Sequence, residues 1–373
     1  MVYTVTFNPA VDYILNTDGV NFGGLCRCAS AEYFFSGKGI NVATVLHRLG
    51  IKSEAVTFLG GFTGAELKRR LEKDVKLDVI DIPGELTRIN VKLRASDKTE
   101  SELNAPGARI GERELSRLFG KLDRMTAGDT LVLAGSIPPG LEKSVYGDVF
   151  SAYRGKGIRF CADCAGELLR GTLDYRPFVI KPNTAELEET LGCRVKSISD
   201  AVGCADELRS MGAQNVLVTM GSAGALLCAS DGSVRRALVP AGGVVSTIGA
   251  GDSTLAGFIA GYDLYASRGA FPNGNGAKVS GLNADGSDNG TGITSADNGD
   301  ADGIMNISAA DNGGADGIMN ADKSVGNCAD GARLEYALRL AAACGTATAR
   351  CAALARRDGI EEIFGGVKVE RIR

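Results

Sequence analysis

Two hydrophobic periodicities alternate along this chain. From Thr130 onward the segments TLVLAG, GIRFCAD, PFVIKPN and NVLVTMG are short, continuous apolar runs rich in β-branched residues, and stretches of helical spacing such as AELEETLG and ISDAVGCADELRSMG separate them. Strands of that kind are buried on both faces, so the alternation predicts βαβ units around a parallel sheet, with a ligand site at the carboxyl ends of its strands. The first hundred residues read differently. VYTVTFNPAVDYIL and TRINVKLRA alternate like half-buried strands, whereas NVATVLHRLG and TGAELKRRLEKD carry helical spacing. These patterns predict one α/β domain over 1–373, with strands drawn from about 10–35 and 86–105 projecting from it as a small β lid.

Residues 273–330 follow neither periodicity: 30 of the 58 are Asn, Asp or Gly, and nine acidic side chains face two basic ones. Such a segment cannot bury enough apolar surface to offset its ordering entropy, which predicts a disordered insertion. SADNGDADGIMN at 295–306 and AADNGGADGIMN at 309–320 agree at ten of twelve positions with a 14-residue period, as a tandem duplication would. Calcium binding is the functional alternative, and the ligand spacing speaks against it. Counting from Asn298, Asp300, Asp302 and Gly303 suit the first half of an EF-hand loop, but Ala309 takes the place of the bidentate Glu, and in the second copy Lys323 does.

Composition narrows the partners. A formal net charge of −4 offers no concentrated basic surface, so nucleic acid is not expected and a small molecule is. No apolar run approaches the ~20 residues that span a bilayer, and the first residues lack a basic n-region, so no membrane partner and a cytoplasmic location are expected. Ten cysteines without a paired CxxC framework read as reduced thiols; Cys161 and Cys164 form a lone CxxC with no second pair for zinc. His47 is the sole histidine and sits at a helical position among apolar residues, which leaves little room for histidine acid–base chemistry.

Three segments carry candidate chemistry. Ser246–Thr254, STIGAGDST, runs into the apolar helical stretch LAGFIAGY, and glycines ahead of a helix let backbone N–H groups and the helix dipole converge on an anion. It is neither a Walker A loop nor a dinucleotide GxGxxG, and Asp252 as a plain helix cap is the structural alternative. FSGKGINVA, from Phe35, supplies close backbone approach, the cation Lys38 and the amide Asn41; an ordinary glycine turn with a solvated lysine is its alternative. In VIKPNTAE, from Val179, a strand end leads into a helix with Asn183 and Glu186 three apart, a pair suited to hydrated Mg²⁺ or, more simply, to a helix N-terminus.

In this order the three segments resemble the ribokinase-like (PfkB) family of carbohydrate kinases, from Met1 to about Tyr262 and again from about Gly331. SGKGINVA and STIGAGDST would be its two signatures. NPAVD at 8–12, TRINVK at 87–92, AGSIPPG at 134–140 and ACGTA at 343–347 are most similar to the family's phosphosugar kinases. Two departures are Cys164, where relatives often carry a hydroxyl residue, and the 273–330 insertion. The resemblance implies a doubly wound, mainly parallel sheet flanked by helices. It implies phosphoryl transfer from ATP, with Mg²⁺, to a phosphosugar: fructose 1-phosphate first, tagatose 6-phosphate second. A neutral-sugar kinase is the enzymatic rival, against which Lys38 and Arg88 stand; a silent sugar-sensing module would be expected to lose Asp252.

The same resemblance implies the roles. Asp252 would be the catalytic base, with the N–H groups of Gly249, Ala250 and Gly251 as an anion hole. Asp12, Gly37, Gly39, Asn41, Asn90 and Ser136 would meet the sugar, and Lys38 and Arg88 its phosphate, with Arg27 a further candidate. Lys181, Asn183, Thr219, Gly221, Ser222 and Gly224 would contact ATP, and Glu186 would orient the metal through water. A homodimer, if formed, would form through the lid.

Overall fold

The structure is a computed structural model that describes residues 1–21, 23–97, 99–268 and 323–373. Its strands in chain order are β1 (Val2–Thr6), β2 (Ala10–Thr17), β3 (Ser30–Ser36), β4 (Ser53–Leu59), β5 (Leu77–Asp81), β6 (Arg88–Ala95) and β7 (Glu100–Leu103). They continue with β8 (Thr130–Ala134), β9 (Arg159–Asp163), β10 (Val179–Ile180), β11 (Asn215–Thr219), β12 (Ala225–Cys228), β13 (Val234–Leu238) and β14 (Lys368–Arg371). The helices are α1 (Lys38–Arg48), α2 (Gly61–Leu71), α3 (Glu112–Leu122), α4 (Val145–Ala152), α5 (Gly166–Arg170), α6 (Thr184–Leu191), α7 (Ile198–Ser210), α8 (Ala250–Arg268), α9 (Lys323–Ala349) and α10 (Arg357–Phe364).

Ten strands make the main sheet in the order β14-β13-β12-β11-β10-β9-β8-β1-β4-β5. From β11 to β5 all neighbours are parallel, and β12, β13 and β14 add an antiparallel edge. Helices cover both faces, which is why the strands are apolar throughout: Leu118, Phe150, Leu187 and Leu208 pack on one side, and Val45, Phe258, Leu338 and Ile360 on the other. This is the ribokinase-like doubly wound sheet. β1 lies inside this sheet, between β8 and β4 and two strands from the β5 edge, although its VYTVT sequence belongs to the stretch whose alternation pointed to the lid; both its faces are buried.

The smaller sheet has the order β3-β2-β6-β7 and comes from the two stretches that predicted a lid. β2 and β6 are parallel and in register with Asp12 opposite Asn90 and Ile14 opposite Lys92; across β6 and β7, Lys92 faces Glu102. Its alternation sends polar residues to one face and leaves Tyr13, Tyr33 and Ile89 exposed on the other. Of the segment expected as an insertion, 273–322, including both repeats, lies outside the described residues, as do 269–272, and 323–330 form the start of α9. Among the described residues no helix is long and apolar enough to cross a membrane.

Candidate active site

A cleft of about 940 Å³ opens between the lid and the carboxyl ends of the parallel strands. Two loops reach it at helix starts. α1 begins at Lys38 and packs tightly on β1: a Cβ on Gly39 would meet Thr6 Oγ1 at 2.6 Å and the Val5 carbonyl at 2.8 Å, so only glycine permits that approach. α8 begins at Ala250, just after Gly249, whose φ of 74° is the left-handed conformation the turn requires.

Asp252 is 6% exposed in the first turn of α8, and its Oδ2 accepts a 2.7 Å hydrogen bond from Asn41 Nδ2 on α1. Burial pushes its carboxyl up to about 6, and the nearby Asp163 adds to the effect against the pull of Lys38, Asn41 and Lys181. Of the three amides expected as an anion hole, that of Ala250 is turned back to the Thr247 carbonyl at 3.2 Å. Those of Gly249 and Gly251 make no hydrogen bond to backbone or side chain among the described residues.

Asp163, at the end of β9, organises the floor. It is fully buried, and its Oδ1 takes Lys38 Nζ at 3.2 Å and Lys181 Nζ at 3.3 Å, while Oδ2 has no partner. Burial opposes its ionisation, but the two ammonium groups win and hold the carboxyl below the usual range. Lys38 also pairs with Glu186 Oε1 at 3.2 Å. Against its own desolvation, the carboxylates of Asp163, Glu186 and Asp252 hold its pKa above the lysine range. Asn183 and Glu186 form a capping box at the start of α6: Asn183 Oδ1 accepts from the Glu186 amide at 2.8 Å, and Glu186 Oε2 from the Asn183 amide at 2.9 Å.

Asp12 is the lid's counterpart, its oxygens accepting from Asn90 Nδ2 at 2.9 Å and Ser36 Oγ at 2.6 Å. The Oδ1 of Asn90 is buried without a partner, free to accept from a hydroxyl. Arg88 lines the cleft, but its Nη1 and Nη2 donate to the carbonyls of Ala105 (3.2 Å) and Asn8 (3.0 Å), which ties the base of the lid to the body; Nε is buried and unpartnered. Gly37, Ser136, Lys181, Asn183 and Thr219 also line it. A second cavity of about 540 Å³, sharing Thr219, Thr247 and Gly251 with the first, is lined by Gly221, Ser222, Gly224 and Ala250 together with Val239, Pro240 and Ala342.

Two expected residues are in neither cavity. Arg27 is exposed on the β2–β3 connection, and Gly39 is spent on packing against β1. Two others were missed: Asp163 and Lys92. Asp163 had a readable signal, a carboxylate closing an apolar parallel strand at the end where a site was expected. Lys92 falls on the same face of β6 as Arg88 and Asn90, at spacing two.

As for Mg²⁺, no group of three or more His, Cys, Asp or Glu among the described residues could hold a metal ion. The carboxylate of Glu186, which does line the cleft, suits an ion that keeps most of its waters and needs few protein ligands.

The chain matches the pfkB family carbohydrate kinases over residues 5–270. It is 39% identical over 262 residues to the 1-phosphofructokinase of Bacillus subtilis (strain 168), covering 70% of this chain and 85% of that protein. It is 31% identical over 267 residues to the D-tagatose-1-phosphate kinase of Bacillus licheniformis, covering 71% and 86%. The fold superposes on phosphofructokinase-2 from Escherichia coli with a TM-score of 0.74 over 98% of each chain at 24% identity, a likeness of fold. With a family match over well over half of its length, and a fold and cleft of the kind that family's signatures imply, this chain belongs to the pfkB family of carbohydrate kinases, ATP-dependent enzymes acting on sugars.

Proposed function

We propose that the protein transfers the γ-phosphoryl group of ATP to the C6 hydroxyl of fructose 1-phosphate, giving fructose 1,6-bisphosphate and ADP. The observation that carries this is a buried carboxylate, Asp252, held by Asn41 and raised to about 6, beside two lysines converging on Asp163. A base poised near neutrality accepts the hydroxyl proton as the oxygen attacks phosphorus and the bond to the β-phosphate oxygen breaks. The free amides of Gly249 and Gly251 face the developing charge, and Lys38 and Lys181 neutralise the transferring phosphoryl. Asp12, Asn90 and Asn41 bind the ring hydroxyls. The second cavity takes the nucleoside, with Gly221, Ser222 and Gly224 at its wall. Glu186 would hold a hydrated Mg²⁺, which would supply charge neutralisation when bound.

The phosphorylated substrate is supported by relatives named for fructose and tagatose 1-phosphates. Tagatose 1-phosphate is therefore the second reading, ahead of tagatose 6-phosphate. Tyr13, Tyr33 and Ile89 on the outside of the lid, with Phe62 of the adjoining α2, expose an apolar face, which fits a homodimer there. A coupled ADP-release assay over fructose, ribose, fructose 1-phosphate, fructose 6-phosphate, tagatose 1-phosphate and tagatose 6-phosphate tests the reading. The highest kcat/KM is expected with fructose 1-phosphate; a higher value with an unphosphorylated sugar overturns it.

A further inference from the structure

We propose that Lys92 on the lid is the cation that reads the phosphate already present on the substrate, and that Glu102 is the counter-ion this phosphate displaces. The inference rests on the phosphosugar reading above and names the group that makes the site selective. A dianionic phosphate entering a partly desolvated cleft needs a charge-assisted donor. Five cationic side chains line this cleft: Lys38, Arg88, Lys92, Lys143 and Lys181.

Four of them are poor candidates. Lys38 and Lys181 are pinned to one oxygen of Asp163 on the floor, the region proposed for the transferring phosphoryl. Arg88 gives both Nη groups to backbone carbonyls, and its one unpartnered nitrogen, Nε, is buried. Lys143 is 70% exposed and pairs with Glu167, itself 68% exposed, so its contacts are screened by water.

Lys92 differs on each count. Its side chain is only 12% exposed, and its one partner is Glu102, at 2.8 Å and 43% exposed on the neighbouring β7. That carboxylate can swing to solvent at little cost when a phosphate takes its place; the buried Asp163 cannot. The position fits as well. Asn90, bonded to Asp12, and Lys92 share the cleft face of β6 two residues apart, about 7 Å along the strand. That is close to the reach from a ring hydroxyl to a phosphate on an exocyclic carbon. Asn104, whose Nδ2 donates to Glu102 Oε2 at 3.3 Å, lines the same wall and offers a second donor.

The test uses steady-state kinetics of the full chain. The wild type is first run on fructose and fructose 1-phosphate: preference for fructose refutes the phosphosugar reading itself, before any variant is needed. Given preference for fructose 1-phosphate, Lys92→Met should raise KM for it about ten- to a hundredfold, the worth of one charge-assisted contact to phosphate. KM for ATP and the residual rate with fructose should stay within about twofold, and Lys92→Arg should recover most of the loss. Glu102→Gln, which removes the competing carboxylate, should lower KM for fructose 1-phosphate. An unchanged KM in Lys92→Met, equal losses on fructose and fructose 1-phosphate, or a raised KM in Glu102→Gln would each overturn the proposal.

Discussion

Replacing Asp252 by asparagine separates the role of base proposed for this residue from the cost of holding its charge in a buried environment. The amide keeps the shape and still accepts the hydrogen bond from Asn41, so the helix start is preserved. Turnover should fall by roughly 10²- to 10⁴-fold, the usual worth of a positioned base. Stability should move the other way. The native carboxyl keeps its proton to about pH 6, whereas the unfolded one loses it near 3.8, so between those values the native state binds more protons and stability falls as pH rises. That interval, at about 1.36 kcal/mol per pH unit, sets an upper bound near 3 kcal/mol of strain in the ionised native state at about pH 7.5. The substituted side chain cannot ionise, so Asp252→Asn should melt a few degrees above the wild type at about pH 7.5 and show no such gain at about pH 3.5. Differential scanning calorimetry at both pH values, with the ADP-release assay, measures this. The wild-type kcat/KM should also lose about tenfold per unit below pH 6. Near-native kcat in the variant would make Asp252 a mere cap, and a lower Tm at the higher pH would show its charge to be stabilising.

Asp163→Asn should shift the acidic limb of the pH–rate profile to lower pH, because the Asp163 charge helps raise Asp252; it should also raise KM for ATP, since Lys38 and Lys181 lose their shared anchor. A pH profile that does not move would contradict the electrostatic link. Gly249→Ala forces a Cβ to 2.5 Å from Leu354 Cδ2 at a φ of 74°, so a cost of about 1–3 kcal/mol in stability and a drop in kcat are expected from thermal melts and kinetics. Replacing 269–322 by a short Gly/Ser linker should leave kcat and Tm nearly unchanged, given the polar, glycine-rich composition of that stretch; loss of soluble protein or of kcat would show that it serves the fold or the cleft.

Local periodicity made much of this fold readable: buried-both-sides strands such as TLVLA and NVLVT and the helices between them are set by which side chains meet the sheet. The half-exposed alternation of TRINVKLRA likewise marked a lid strand. β1 was harder, because VYTVT alternates Thr with Val and Tyr and yet is buried on both faces; threonine hydroxyls there find backbone partners, as Thr4 does on the Gly39 carbonyl, and so tolerate burial. The glycine loops were legible because backbone conformation is a local property. What each cation does was not, since a side chain's partner is a long-range fact: Lys38 and Asp163 lie 125 residues apart, and Asn41 and Asp252 lie 211 apart. Lys38 and Arg88 looked alike as free cations in the sequence. The structure spends one on two carboxylates and the other on two carbonyls.

The two buried aspartates of the cleft show why those partners matter more than residue type. Asp163 and Asp252 are both buried and both near Lys38 and Lys181, yet they are driven in opposite directions. Asp163 receives both ammonium groups directly, so the attraction exceeds its desolvation cost and it stays ionised. Asp252 receives only a neutral amide, and the fixed charge of Asp163 adds to its burial. One carboxylate thus holds the cations in place while the other is kept ready to take a proton, and the same two side chains in exchanged surroundings would exchange those roles.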